Sequence, residues 1–169
     1  GYLQKSHISA GRIPTPLALR LYVNELMKEK ELSVADEVSA KEKIWQHRSH
    51  TDALLFEAAK ILAERAGAVG VAMSEQDHRV YHSGYANLLN MPEFFDIRVT
   101  RNVLNLIEGA NMMEEVFDLG KSENPVHLVY GKELGNKNLE PVSLIYMEVN
   151  AAGKICKIGV LGSHRFNYP

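Results

Sequence analysis

The chain has 169 residues, 46% of them hydrophobic and 24% charged, which suits one globular domain or one domain with a small appendage. A net charge of −2 and a pI near 6.4 exclude a surface-wide nucleic-acid footprint, so any DNA contact must come from a local patch. A single cysteine excludes an internal disulfide and suits a reducing cytoplasm, and no apolar run approaches the ~20 residues of a membrane helix.

Tyr2 to Lys5 alternates like a short strand. Gly11 tolerates positive φ, and Pro14 and Pro16 fix φ on either side of Thr15. Thr15 suits an N-cap and Pro16 a first helical position. The pattern predicts a small hairpin with a basic tip of Lys5, His7 and Arg12, running into a helix. That is the shape of a wing in a winged-helix DNA-binding domain, and wing tips commonly meet phosphates. Residues 1–23 carry Lys5, Arg12 and Arg20 and no carboxylate. Pro16 to Lys30 is predicted helical, with Leu19, Val23, Leu26 and Met27 on one stripe.

Ser33 is the next N-cap, with Asp36 and Glu37 in the first turn of a helix to about His47. Its apolar face, Val34, Val38 and Trp45, is narrow. Such a face belongs to a linker helix lying on a core or to a helix–helix seam between subunits. Thr51 to Ala66 carries the strongest helical period, through Leu54, Leu55, Ala58, Ala59, Leu62 and Ala66, and Gly67 stops it. Leu55 and Leu62 are both expected in the core. Ala68 to Met73 reads as a strand, Ser74 to Asp77 as a turn, and His78 to Ser83 as the returning strand.

Leu88 to Phe95 is expected to be a short helix broken near Pro92. Asp96 caps a helix to about Glu108 with Val99, Val103 and Ile107 on one face. Gly109 interrupts it, and Ala110 to Asp118 resumes. Val126–Tyr130, Val142–Val149 and Lys154–Leu161 read as strands, the last two joined by a hairpin turn at residues 150–153. Antiparallel hairpins after paired helices predict an α+β fold rather than a doubly wound parallel sheet.

The chemistry-bearing residues form no catalytic constellation. His78 and His82 are spaced i, i+4 but lack a third ligand, so exposed strand residues are the simpler reading. His47 and His50 read as a polar linker, and Cys156 as a buried small side chain. Met112 and Met113 read as filler, and the loop Gly131–Gly135 lacks phosphate-loop spacing. Arg165, bracketed by Phe166 and Tyr168, reads as a stacked anchor of the C-terminus. No cofactor, metal or catalytic residue is expected.

Three ordered segments carry a family resemblance. Gly1-Tyr2-Leu3 through Thr15 resembles the end of the winged-helix domain in the heat-inducible transcription repressor HrcA family, with Ser6 for the usual proline and Ile8 for the usual threonine. Gly84 to Phe94 resembles that family's "GxxNLLxxPEF" segment, and Gly159 to Tyr168 its "GVIGPxRMxY" ending. The resemblance implies a GAF-like antiparallel sheet with flanking helices, preceded by a wing hairpin and linker helices. It places a wing remnant at 1–15, linker helices at 16–50 and a reduced GAF-like regulatory and dimerisation domain at 51–169. The expected helix-turn-helix would precede Gly1, and only Gly67 to Ser83 stands where the family carries a long insert, so the chain reads as a fragment or compact member. The implied function is repression of chaperone genes by a homodimer on an inverted-repeat operator. Lys5, His7, Ser9 and Arg12 would contact DNA, and the chaperonin GroEL would act as a partner. A GAF-type small-molecule sensor is the alternative; it requires an enclosed pocket with convergent polar groups.

Overall fold

The computed structural model describes residues 1–5, 12–47 and 49–165. The chain divides into two compact units, Gly1–Glu31 and Leu32–Phe166. In the first, β1 (Leu3–Lys5) pairs antiparallel with β2 (Arg12–Pro14), so the predicted hairpin forms. Helix α1 (Pro16–Leu21) follows, capped by Thr15. It is shorter than the stripe to Lys30 predicts. Tyr22–Leu26 is a π-turn, closed by the Met27 N–H donating to the Tyr22 carbonyl at 2.7 Å, and Met27 itself is extended. The reason lies in burial. Val23 is the last buried residue of the stripe and Leu26 is exposed, so another helical turn would bury nothing.

The second unit begins with α2 (Val34–Gln46), where the Ser33 hydroxyl accepts from the Asp36 N–H at 3.2 Å. Helix α3 (Thr51–Ala66) ends at Gly67 in the left-handed conformation, φ 60°, as its sequence predicts. Five strands follow: β3 (Val69–Ser74), β4 (Arg79–Ser83), β5 (Val126–Tyr130), β6 (Val142–Ala151) and β7 (Lys154–Ser163). They form one sheet in the order β4-β3-β7-β6-β5 with every neighbour antiparallel. The β6–β7 turn has positive φ at both Ala152 and Gly153, the requirement of a two-residue type I′ hairpin. His78 stands outside β4, in the turn at φ 48°, a conformation histidine tolerates better than a branched residue.

Between β4 and β5 the chain crosses one face of the sheet. Two 3₁₀ segments, Tyr85–Asn90 and Pro92–Phe95, replace the single broken helix expected there. Then come α4 (Ile97–Glu108) and α5 (Ala110–Leu119), divided at Gly109. Val99, Val103 and Ile107 are buried as predicted, against Val69, Val71, Met73, Leu144, Tyr146 and Leu161 of the sheet. Tyr146 is held inside this core. Its hydroxyl donates to the Phe117 carbonyl, its ring meets Phe117 edge-on at 4.8 Å and stacks on His127 at 4.7 Å, and burial pushes its phenol up to about 12.

The other face belongs to α3. Leu55 and Ala59 pack with Ala72 and Cys156, and burial pushes the Cys156 thiol upward. The buried positions of α3 are Leu55, Ala59 and Ala63, whereas Leu62 is only partly buried. The correction has a steric cause. α3 lies so close to β3 that a Cβ at Gly70 would overlap the Ala59 carbonyl, and one at Gly84 would stand 2.6 Å from the Ala63 Cβ. Only small residues fit that line of contact, so the larger Leu62 is turned to its flank.

Leu55→Ala is therefore expected to cost about 2–5 kcal/mol of unfolding free energy. Leu62→Ala should cost clearly less, and Gly70→Ala should cost at least as much as Leu55→Ala through overpacking. Urea denaturation of the three variants checks the ranking; equal losses at Leu55 and Leu62 would contradict the assigned face.

Candidate nucleic-acid interface

The N-terminal hairpin is built from the bottom by Thr15. Its N–H donates to the Tyr2 carbonyl at 2.9 Å, and its hydroxyl donates to the Gly1 carbonyl at 3.1 Å. The same oxygen accepts from the Ala18 N–H at 3.3 Å. One side chain thus joins the base of the hairpin to the start of α1. The strand register is Leu3 with Pro14, Gln4 with Ile13, and Lys5 with Arg12. Two of the four residues expected to contact DNA, Lys5 and Arg12, are thereby opposite one another at the open end of the ladder. The other two, His7 and Ser9, lie outside the described residues. Arg20 occupies the last turn of α1. The Arg165 guanidinium meets the Glu93 carboxylate at 3.3 Å, and the Arg165 backbone N–H donates to the Ser163 hydroxyl at 3.0 Å; Phe166 and Tyr168, read as its brackets, lie outside the described residues.

A second polar feature lies at one end of the sheet. A cleft of about 270 Å³ is lined by Met73, Glu75, His78, Glu114, Asp118, Lys121 and Lys157. Lys157 comes from the middle of β7 and its side chain is 6% exposed. Its ammonium meets Glu75 at 2.9 Å and Asp118 at 3.8 Å, and lies 5.8 Å from the centre of the Phe117 ring. Lys121 pairs with Asp118 at 2.9 Å and holds that carboxyl below its ordinary range, first through the hydrogen bond itself. His78 bonds to the Glu114 carboxylate. The charged groups of this cleft are committed to one another, which is how a buried lysine is made tolerable. The sequence reading passed over Lys157; the signal was a lysine at the period-2 positions shared by Gly159 and Leu161 in an apolar strand.

His82 bonds elsewhere, through Nδ1 to the Tyr85 hydroxyl at 2.7 Å, so His78 and His82 serve different neighbours. Burial, with Glu108 second, pushes the Tyr85 phenol up to about 12. Among the described residues no group of three or more His, Cys, Asp or Glu is placed to hold a metal ion, and no helix is long and apolar enough to cross a membrane.

A five-stranded antiparallel sheet in this order, with α3 on one face and α4 and α5 on the other, is an α+β, GAF-like domain; here a basic hairpin stands in the same chain. Residues 15–169 match the HrcA protein C terminal domain, and the chain belongs to that family. Heat-inducible transcription repressor HrcA of Acetivibrio thermocellus is 28% identical over 155 residues, covering 85% of this chain and 39% of that protein. Its counterpart in Pelotomaculum thermopropionicum is 29% identical over 93 residues, covering 54% and 27%. That of Thermomicrobium roseum is 39% identical over 70 residues, covering 41% and 20%. The chain thus spans well under half the length of these relatives. A crystal structure of a hypothetical protein shares the fold, with a TM-score of 0.61 and 15% identity, covering 96% of this chain and 76% of that one.

Lys157→Met tests how the charged cleft contributes to stability. Glu75 and Asp118 are exposed enough to be rehydrated, so the loss should stay within about 1 kcal/mol. A loss above about 3 kcal/mol in denaturant unfolding would make the ion pairs a main support of the fold.

Proposed function

We propose that this chain is the regulatory part of a heat-inducible transcription repressor that binds an inverted-repeat operator as a homodimer. The hairpin is a wing, and Lys5, His7, Ser9 and Arg12 contact the DNA backbone. The observation that supports this most is the β1–β2 register, with Lys5 opposite Arg12, ahead of a body that belongs to the HrcA family. An inverted repeat asks for a twofold protein. In a winged-helix repressor base readout belongs to a recognition helix in the major groove, and a wing supplies sequence-blind phosphate contacts. Heat sensing follows by mass action: unfolded clients occupy the chaperonin GroEL, and the repressor loses the partner that maintains its active fold. The family is one of transcription repressors, not of enzymes, and the reading assigns no catalytic step to the chain.

A salt titration of binding to operator and scrambled duplex tests the reading. The 169-residue chain alone, with net charge −2 and only the paired strands of a wing among its described residues, should bind weakly and hardly discriminate. A chain carrying the helix-turn-helix ahead of Gly1 should prefer the operator. In that longer chain, Arg12→Ala should weaken binding to every duplex about equally and lower the salt slope by about one phosphate. An Arg12→Ala effect confined to one base pair would make this arginine a base reader. Strong operator preference by the short chain would overturn the assignment of the wing.

A further inference from the structure

The joint between the hairpin and α1 is held by polar contacts where packing is thin. The β1–β2 ladder has three paired positions, and one of them is Pro14, which has no N–H to give it. A two-stranded ladder of that length is marginal in water. No residue of α1 is fully buried, so no buried side chain of the helix sets its angle to the hairpin. Thr15 is placed to set it. It stands between Pro14 and Pro16, with the extended backbone (φ −81°, ψ 163°) that a following proline favours. Its hydroxyl has one hydrogen to give and two lone pairs to receive, and both capacities are used. The hydrogen goes to the Gly1 carbonyl, 14 residues back, and a lone pair takes the Ala18 N–H. An ordinary N-cap needs only the second bond. The first, together with the Thr15 N–H on the Tyr2 carbonyl, fastens the entry to β1 onto the start of α1.

We propose that Thr15 is the positioning residue of the wing: its hydroxyl fixes hairpin and α1 as one rigid body and so aims the paired positions Lys5 and Arg12 at the duplex. The inference deepens the wing reading of the preceding section and rests on it. Length makes the aim matter. Thr15 meets Tyr2 one step below the Leu3–Pro14 pair, so the Lys5–Arg12 pair lies three residues beyond the joint. At ~3.3 Å per residue that is about 10 Å. A swing of roughly 20° at the joint would carry the pair ~3 Å sideways, the full length of a charge-assisted hydrogen bond. A wing free to swing so far must be ordered at each encounter, and that ordering weakens binding without removing any cation. Thr15 itself touches no phosphate in this scheme.

Nuclear magnetic resonance of the 169-residue chain tests the proposal on two readouts. The first is geometric. Backbone dipolar couplings of β1, β2 and α1 should fit a single alignment frame in the native chain and in Thr15→Ser, which keeps the hydroxyl. In Thr15→Val, which keeps the shape and loses both hydroxyl bonds, hairpin and helix should need separate frames, while the cross-strand contact of Leu3 with Pro14 persists. The second is binding to a duplex of about 20 base pairs and arbitrary sequence at low salt. Thr15→Val should weaken it about threefold or more, and Thr15→Ser should bind like the native chain. In a chain lacking both cations, Lys5→Ala with Arg12→Ala, adding Thr15→Val should cause no further loss, because the hydroxyl acts only through them.

An equal loss from Thr15→Val in both backgrounds would overturn the positioning role, and so would a single alignment frame in Thr15→Val. A ladder that melts in Thr15→Val would make the hydroxyl a support of the hairpin and not its aim, which overturns the role too. Failure of Thr15→Ser to match the native chain would do the same. If Lys5→Ala with Arg12→Ala leaves binding unchanged, the wing reading itself is overturned. If that pair weakens binding and Thr15→Val does not, the wing stands and only the role of Thr15 falls.

Discussion

The structure depends on how closely α3 lies upon β3. A helix normally stands off a sheet by the length of its side chains. Here Ala59 and Ala63 face Gly70, and the helix backbone touches the strand where a single added methyl would overlap it. Close approach of this kind gains dispersion contacts and excludes water from the strand, but it tolerates one register only. Asn87 reinforces it by donating to the carbonyls of Ala63 and Ala68, which ties the segment after β4 to the end of α3. With β3 fixed, β4 and β7 add on either side, and β6 and β5 follow outward.

Charge is deployed against the usual pattern in two places. Lys157, on the interior strand β7, is buried among Glu75, Asp118 and Phe117. Helix α2 turns ions inward and valine outward. In the first, the ions lining one cleft neutralise one another.

Much of the fold was legible in the sequence because its signals are local. The period of Thr51–Ala66 with Gly67 after it fixed α3 to the residue, and Asp96 with Val99, Val103 and Ile107 did the same for α4. What was not legible depends on long-range contact. The six-residue stripe of α3 holds both Leu55 and Leu62; only the approach of Gly70 selects Leu55, Ala59 and Ala63 as the inner line. The π-turn at Tyr22–Leu26 arises where burial runs out, which no periodicity records. The pairing of β3 with β7 joins residues more than 80 positions apart, so the strand order is a tertiary fact. At the candidate interface, turn chemistry foretold the hairpin but not its register, which sets Lys5 opposite Arg12. It gave no direction to the narrow stripe of α2, because a helix pattern says which residues share a face and not where that face points.

Native-state hydrogen exchange on β3 tests the central claim most directly. If the α3–β3 contact anchors the fold, the interior amides of Val69–Met73 should exchange only through global unfolding, with an opening free energy equal to that from denaturant. The outer strand β5 should open at lower cost. Exchange of the β3 amides through local opening, with β5 and β6 still protected, would contradict the account and move the foundation of the fold to the opposite half of the sheet.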